Sequence, residues 1–430
     1  MNKYKTPVVP KNLIIPFVLV TSLFALWGFA NAITDPMVQA FKKVLELSNS
    51  EAAWIQMAFY GGYFCMALPA ALFVKKYSYK KGILVGLALY ATGALLFYPA
   101  SIIEQFWFFC LGLYILTFGL AFLETTANPY ILSMGDSKTA IQRLNLAQLF
   151  NPLGLIAGLL VAQQFILKNL KSDDINDFSS LNQASKLLIK SSDLIVIRNP
   201  YVILGLFIIV IFFIILVYKM PKTKNTFNIT SFREILNTLL NNYKYIGGVL
   251  AQTLYVGAQI MCWTYIYQYA EGIGINIEKA ANYQFIAFIL FFIGRGTGTY
   301  LLKHISSSKL LMYFAIMATL FSLGTILNEG YLGLYCLIIV SFFMSIMFPT
   351  IYGLSLNGLS EDESKIGAAG LVMAIVGGAL MPKFQGMIID LGGFNVNDIR
   401  IIGISEVNFS FILPLICFVY ITFYSKIIMK

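Results

Sequence analysis

The chain has 430 residues, of which 58% are hydrophobic and 12% charged, and its net charge is +10 at pH 7. A soluble domain has roughly 45–50% apolar and about 25% charged residues, so this composition excludes a soluble globular protein and indicates residence in a membrane. The basic residues are distributed over many short segments and do not gather on one face, so the positive charge does not predict a nucleic-acid partner.

Twelve apolar runs occur along the chain, each near the ~20 residues that a helix needs to cross the hydrocarbon core of a bilayer. They predict an all-α membrane protein with twelve transmembrane helices, embedded in the lipid bilayer, in which the Gly and Pro interruptions are tolerated. The runs are 13–41, 51–74, 82–102, 105–134, 141–167, 197–218, 246–270, 280–302, 309–328, 331–359, 366–390 and 407–428.

The distribution of Lys and Arg predicts the orientation. With the amino terminus inside, the predicted cytoplasmic segments carry about twice as many basic residues as the outer loops, as the positive-inside rule requires. The exception is the long outer segment 168–199, which holds five of the outer basic residues. We therefore expect a multi-pass protein of the bacterial inner membrane with both termini in the cytoplasm.

The polar, basic segment 219–245 separates six runs from six. It predicts an amino-terminal bundle at 1–218, a cytoplasmic linker at 219–245 and a carboxy-terminal bundle at 246–430. The halves also resemble each other, because Asn128-Pro129 in the fourth run corresponds to Phe348-Pro349 in the tenth. Parallel repeats of this kind place a substrate between the halves near the midplane of the membrane. We expect a monomer.

Asp35 lies in the first run, directly before Pro36. An ionised carboxylate in hydrocarbon costs roughly 3 kcal/mol or more, so an acid in such a place is expected beside a water-filled path. A carboxyl group there can bind and release a proton near neutral pH, which predicts a proton-coupling role. The alternative is an interfacial Asp that caps the helix or pairs with Lys42 or Lys43.

Glu124 lies in the fourth run, with Asn128 one helical turn later on the same face. A carboxylate beside an amide suits the hydroxyl groups of a sugar, since each group donates or accepts in a fixed direction. A structural hydrogen bond between helices remains the alternative, although Glu is a costly residue for that purpose.

The fifth run carries Asn145, Gln148 and Asn151 at steps of three residues, which predicts a ladder of amides along one helix face. These amides can bind a substrate or can simply join neighbouring helices. Arg143, at the cytoplasmic end of this run, is predicted to be a snorkelling or interfacial charge.

The seventh run presents Gln252, Tyr255, Gln259, Trp263 and Tyr267 at helical spacing. Aromatic faces and amides on one side of a helix suit a sugar, whose apolar ring edges stack while its hydroxyls find hydrogen bonds. An interfacial aromatic belt supplies the same rings, but it does not carry Gln at helical spacing. We expect this face to bind the substrate.

The second half is predicted to have no carboxylate deep in a run, and its acids, including Glu406, are expected in or beside loops. Arg295 and Lys383 are predicted to be snorkelling or gate charges, a choice that the sequence leaves open. No motif indicates a metal site, a cofactor, a nucleotide site or an enzyme nucleophile, so we expect a non-enzymatic protein without cofactors.

These residues resemble the fucose:proton symporter family of sugar porters in the major facilitator superfamily. The resemblance covers most of the chain and is carried by segments 27–35, 59–64, 75–80, 123–129, 143–148, 255–259 and 292–299. It implies two pseudo-symmetric six-helix bundles around a central cavity. It also implies a proton-carrying role for Asp35, a sugar-linked role for Glu124 and sugar contacts for Gln148 and Asn151.

One position departs from the family. Fucose carriers place a second amide directly after the one that matches Asn31, whereas this chain has Ala32. The resemblance implies an Asn31 contact with the substrate but not which monosaccharide is bound, L-fucose or a related hexose such as glucose or galactose.

The sequence thus predicts proton-coupled symport of a monosaccharide into the cell by alternating access. Asp35 and Glu124 are the predicted proton-coupling residues. The predicted substrate-binding residues are Asn31, Asn128, Gln148, Asn151, Gln252, Tyr255, Gln259 and Trp263. The alternative is a sugar facilitator, or an exporter of small amphipathic compounds, without proton symport.

Overall fold

The computed structural model describes residues 6–45, 49–172, 182–221, 231–392 and 399–429, and for a few of these, Asp35 among them, it describes the main chain alone. Helices dominate the described chain. They are α1 Ile14–Val44, α2 Asn49–Lys76, α3 Tyr79–Leu95, α4 Phe97–Ile103, α5 Phe106–Ser133, α6 Ala140–Gln148, α7 Phe150–Val161, α8 Gln183–Val217, α9 Phe232–Asn241, α10 Tyr243–Thr264, α11 Ile266–Gly272, α12 Ile277–Leu301, α13 Ser307–Leu327, α14 Tyr331–Met344, α15 Met347–Leu356, α16 Glu361–Met373, α17 Gly377–Ile389, α18 Glu406–Ser410 and α19 Ile412–Met429.

Twelve helical stretches in the described residues are long and apolar enough to cross a membrane, which confirms the predicted all-α membrane fold. We number them spans one to twelve in chain order. They are Lys11–Thr34, Met57–Lys76, Tyr79–Ile103, Phe106–Ser133, Ser137–Ile166, Gln183–Val217, Tyr243–Gly272, Lys279–Leu301, Ser307–Leu327, Tyr331–Leu356, Glu361–Gly392 and Glu406–Met429.

Short polar turns separate the spans, and side chains in these turns cap the helix that follows. Ser78 accepts a hydrogen bond from the Lys81 amide at the start of α3, and Ser360 forms a capping box with Glu363 at the start of α16. A small antiparallel hairpin, β1 Arg400–Ile401 and β2 Ile404–Ser405, precedes span twelve.

Span six differs most from the sequence prediction. Its helix begins at Gln183, fourteen residues before the predicted start at 197, and the Asn182 side chain caps it by accepting from the Ser185 amide. The predicted outer loop 168–199 therefore contains more than three turns of helix. Lys186, Lys190 and Asp193 interrupt the apolar residues of this stretch, so hydropathy did not reveal the helix.

Packing between the halves positions the site. Span eleven lies along span two, and span five contacts spans eight and ten. Span one packs directly on span five, because Gly28 and Gly154 let the two backbones touch: an added Cβ at Gly154 would lie 1.9 Å from the Ala25 carbonyl oxygen. The described part of the linker predicted at 219–245 contains α9 and the start of span seven.

Candidate functional site

Two spans at the boundary between the halves are interrupted in front of a proline. Span five breaks at Leu149, three residues before Pro152, and span ten breaks at Ser345 and Ile346, before Pro349. Proline has no N–H group, so the carbonyl four residues earlier loses its helical partner. The carbonyls freed in this way belong to Gln148 in the first half and Ser345 in the second.

Arg295 of span eight satisfies both freed carbonyls. Its Nη1 donates to the Gln148 carbonyl oxygen at 2.8 Å, and its Nε donates to the Ser345 carbonyl oxygen at 2.7 Å. The side chain is 2% exposed, and its guanidinium lies 4.6 Å from the centre of the Phe291 ring. The snorkelling interpretation of Arg295 is therefore wrong, because this cation is buried at the contact between the halves.

Two further hydrogen bonds cross between the halves on the same side of the membrane. Gln142 Nε2 donates to the Thr299 carbonyl oxygen at 3.1 Å, and Asn145 Nδ2 donates to Thr350 Oγ1 at 3.2 Å. Asn145, one of the amides in the predicted ladder, thus joins two spans. Span five is therefore hydrogen-bonded to spans eight and ten near its amino-terminal end, which follows the turn 134–139.

A chain of amides runs from this contact towards Glu124. Gln148 Nε2 donates to Asn128 Oδ1 at 2.9 Å, and Asn128 Nδ2 donates to the Glu124 main-chain oxygen at 3.1 Å. Asn128 and Gln148 are buried and Glu124 is half-buried. The structure therefore brings three predicted site residues, from spans four and five, into one hydrogen-bonded group.

The carboxylate of Glu124 is the unusual member of this group. Its Oε2 is buried and has no hydrogen-bond partner within the described part of the chain. A buried carboxylate oxygen without a partner is strongly unfavourable, so it indicates a group that bonds to something the protein itself does not supply.

Two tyrosines that the sequence reasoning missed lie within electrostatic reach of Glu124. They are Tyr63 of span two and Tyr352 of span ten, so a residue of each half lies near the carboxylate. The Tyr352 hydroxyl is buried and has no partner among the described residues. The sequence did contain a signal for Tyr352. Because Phe348-Pro349 corresponds to Asn128-Pro129, Tyr352 lies one helical turn after the residue equivalent to Asn128.

Span seven carries the second set of unpartnered polar groups. Gln252 and Tyr255 are completely buried, and over the described ranges neither amide atom of Gln252 nor the Tyr255 hydroxyl has a hydrogen-bond partner. Gln259 is half-buried. Trp263 differs, because its Nε1 donates to Ser341 Oγ at 3.2 Å and its ring packs on Phe288 and Phe291 inside the second half.

Span one supplies the remaining predicted residues. Asp35 lies on α1 nine residues before its end at Val44, about 14 Å along the helix axis, and its side chain lies outside the described residues. Asn31 is half-buried one turn earlier. Asn151 of span five is also half-buried, and its Nδ2 donates to the Phe24 carbonyl oxygen of α1 at 3.4 Å.

Other charged residues also differ from expectation. Arg143 is fully buried and donates to the carbonyl oxygens of Ile131, Leu132 and Val8, so the prediction of a snorkelling or interfacial charge is wrong. Glu406 lies beside a loop as predicted, because it follows β2 as the first residue of α18, although it is completely buried. Lys383 is exposed.

The cysteines in the described residues are all unpaired, and the same residues contain no cluster of His, Cys, Asp or Glu that could hold a metal ion. The polar groups of the site are amides, hydroxyls and one carboxylate. This set of donors and acceptors suits a neutral polyhydroxylated ligand and an exchangeable proton.

Comparison with known proteins identifies the family to which this chain belongs. The family model for the Major Facilitator Superfamily matches residues 17–382. The L-fucose-proton symporter of Haemophilus influenzae (strain ATCC 51907 / DSM 11121 / KW20 / Rd) is 56% identical over 423 residues, which cover 97% of each chain. The L-fucose-proton symporter of Escherichia coli (strain K12) is 38% identical over 391 residues, 89% of each chain.

A solved structure agrees with the sequence relatives. The crystal structure of the Major Facilitator Superfamily transporter FucP in the outward conformation superimposes with a TM-score of 0.87 at 35% identity, covering 98% of this chain and all of that one. The predicted family is therefore confirmed. This chain belongs to the Major Facilitator Superfamily and, within it, to the fucose:proton symporter family, whose members are transporters and not enzymes.

Proposed function

We propose that this protein imports a monosaccharide together with protons across the bacterial inner membrane, and that the sugar is L-fucose or a related hexose such as glucose or galactose. The observation that carries the proposal is the buried Oε2 of Glu124, which lacks a partner in the described residues and lies within electrostatic reach of Tyr352 of the other half. Relatives named as L-fucose-proton symporters support the same activity.

The first half supplies the proton-coupling groups and part of the sugar site. Asp35 exchanges a proton with the outer water, and Glu124 binds a sugar hydroxyl or a proton. The amide chain through Asn128 connects Gln148 of span five to the main-chain oxygen of Glu124. Asn31 and Asn151 contribute amides from spans one and five.

The second half supplies the opposing face. Gln252 and Tyr255 have the donors and acceptors that a sugar would satisfy, and Gln259 extends the same helix face by one turn. Trp263 is the weakest member of the predicted set, since Ser341 already satisfies its N–H group. We propose that Trp263 supports the site through packing and does not contact the sugar.

Alternating access requires the contact between the halves to open and close. The three hydrogen bonds donated by Gln142, Asn145 and Arg295 close the side that we assign to the cytoplasm, together with both termini. Opening to the cytoplasm requires that Arg295 release the Gln148 carbonyl. Gln148 takes part in both regions, because its side chain donates to Asn128 and its main-chain oxygen accepts from Arg295. Sugar binding that moves Gln148 would therefore act on the closure. The working unit is one chain, with bundles at 1–218 and 246–430.

The test uses purified protein in proteoliposomes with an imposed proton gradient. A panel of L-fucose, glucose, galactose and xylose is scored for uptake of labelled sugar and for alkalinisation of the lightly buffered exterior. We expect one of the first three sugars to accumulate unmodified against its gradient while the exterior becomes alkaline.

The same assay separates the alternatives. A facilitator would equilibrate its sugar at an unchanged rate after the proton gradient is dissipated, and an exporter of amphipathic compounds would take up none of the sugars. Either result would refute proton symport.

A further inference from the structure

Outside the site, the first half carries an apolar groove of about 900 Å³, which we call the lateral groove. Its floor is formed by Ala25, Leu26 and Phe29 of span one. One wall belongs to span five and the other to span six, including Ala157 and Ile203 respectively. Ile203 is 66% exposed, which places the groove on the perimeter of the bundle, where the bilayer lies.

The helix packing explains why the groove exists. The α7 helix of span five packs on α1, whereas span six packs mainly on α3 and α4, and the two spans approach each other at the π-helical segment Ala162–Ile166. In the groove between them, Ala25 and Phe29 of span one are half-buried. Large apolar residues on both walls remain exposed, including Leu153, Phe165 and Phe207.

The apolar lining of the groove indicates what kind of molecule binds there. An apolar cleft does not hold ordered water, which needs several polar partners. An empty cleft would forfeit the dispersion contacts of every wall atom. In a membrane-spanning chain the molecules present at this depth are lipid acyl chains, and an acyl chain is flexible enough to fill an irregular cleft.

The end of the groove near the π-helical segment is polar. Asn169 and Asn199 line it there, and the exposed Lys168 lies beside Asn169. Lys168 Nζ donates one hydrogen bond to Gln164 Oε1 at 2.8 Å, which leaves two N–H groups for a further acceptor. The nearby buried carboxylate of Asp193 is occupied by the amides of Lys171 and Ser172. The Asn169 amide also donates to the Gln164 carbonyl oxygen at 2.9 Å. Two amides that line an apolar cleft, with an exposed ammonium on the neighbouring residue, match the phosphate and ester groups above an acyl chain.

We propose that the lateral groove is a binding site for one bilayer phospholipid, with acyl chain against span one and phosphate at Lys168, Asn169 and Asn199. The site accounts for part of the basic composition of segment 168–199, which the positive-inside rule leaves unexplained. The site recognises the phosphate common to all phospholipids and does not require a net negative headgroup.

The test measures phospholipid retained by the purified protein after mild delipidation, by native mass spectrometry. Ala157→Trp fills the groove from the wall of span five. Leu160→Trp is the matched control, because Leu160 is 42% exposed on the same helix but does not line the groove. Displacing about two methylene groups lowers affinity roughly tenfold, so the retained fraction should fall by that factor in Ala157→Trp and not in the control. Equal retention in the two variants would overturn the proposal.

A second measurement on the wild-type protein covers the case in which Ala157→Trp does not fold. A phospholipid with a photoactivatable group in its acyl chain is reconstituted with the protein and irradiated. We expect crosslinks concentrated in peptides that contain residues 25–29 and 199–207, and competition by unlabelled phosphatidylethanolamine and phosphatidylglycerol alike. Crosslinks spread evenly over the exposed faces of all spans would show ordinary bilayer contact and refute a specific site.

Discussion

The two halves of the molecule carry polar groups in different states. In the first half, Asn128 and Gln148 form a hydrogen-bonded chain that ends at Glu124. In the second half, Gln252, Tyr255 and Tyr352 are buried with no partners in the described part of the chain. The first-half chain ends at the main-chain oxygen of Glu124, whose carboxylate Oε2 has no partner in the described residues either. The carboxylate of the site nevertheless lies in the first half, whereas the second-half groups are neutral donors and acceptors. The difference indicates a division of labour, with proton coupling in the first half and ligand contacts shared with the second.

The halves also share one device. Each has a span interrupted in front of a proline, and a single cation, Arg295, satisfies the carbonyl that each proline frees. The two helix breaks are equivalent in the two halves, but the cation that bonds both free carbonyls comes from the second half alone. Arg295 therefore joins the halves. Breaking that junction is therefore part of any motion that separates the bundles on this side.

Asp35→Asn should have the largest effect. Asparagine cannot exchange a proton, so we expect uphill accumulation to stop and internal and external sugar to reach equal concentrations, while exchange of labelled for unlabelled sugar continues. Accumulation and counterflow in the same proteoliposomes measure both properties. Undiminished uphill uptake would remove Asp35 from the coupling mechanism.

Glu124→Gln should weaken sugar binding by roughly tenfold to a hundredfold, because it replaces a charged hydrogen bond with a neutral one. The pH dependence of binding should change as well, since the glutamine does not titrate. Isothermal titration over a range of pH measures both effects. Glu104→Gln is the control, because Glu104 lies at the far end of span three and pairs with Lys190. Wild-type affinity at every pH in Glu124→Gln would show that the residue is structural.

Arg295→Lys should favour separation of the halves by about tenfold, since lysine cannot donate to both carbonyls with the geometry of a guanidinium. Spin labels at Ser137 and Asn357, both exposed near this side, report the separation by pulsed electron resonance. Arg143→Lys is the matched control, because its hydrogen bonds stay within the first half. An unchanged distance distribution in Arg295→Lys would contradict the closing role of Arg295.

Tyr255→Phe should have the smallest effect, about fivefold weaker sugar binding, because one neutral hydrogen bond to the ligand is lost. Protein stability should not fall, since the hydroxyl has no partner within the described residues. Tyr313→Phe on the lipid-facing surface is the control. Reduced thermal stability without a change in affinity would show that the hydroxyl serves packing instead.

Much of the fold was predictable because transmembrane helices are specified by composition and length. The twelve runs, the break between the halves and the family motifs all follow from local patterns of apolar residues. Span six shows the limit of this reasoning. Its first turns extend beyond the apolar run and are held by the Asn182 cap, so hydropathy alone could not locate its start.

The site was predictable only in part. Helical spacing predicted that Asn128 lies near Glu124 and that Gln252 and Tyr255 share a face. Contacts between distant spans were not accessible, because no local pattern pairs Arg295 with Gln148 or Tyr352 with Glu124. The sequence left Arg295 as a snorkelling or a gate charge and predicted a snorkelling or interfacial role for Arg143, since it does not show which carbonyls a proline or a helix end leaves free.

The most direct test of the division of labour is the proton-to-sugar ratio, measured as alkalinisation and labelled uptake in the same proteoliposomes. We expect Tyr255→Phe and Gln252→Leu to lower sugar affinity but keep the wild-type ratio, and Asp35→Asn to move sugar without protons. A changed ratio in the second-half variants, or a wild-type ratio in Asp35→Asn, would contradict the division of labour.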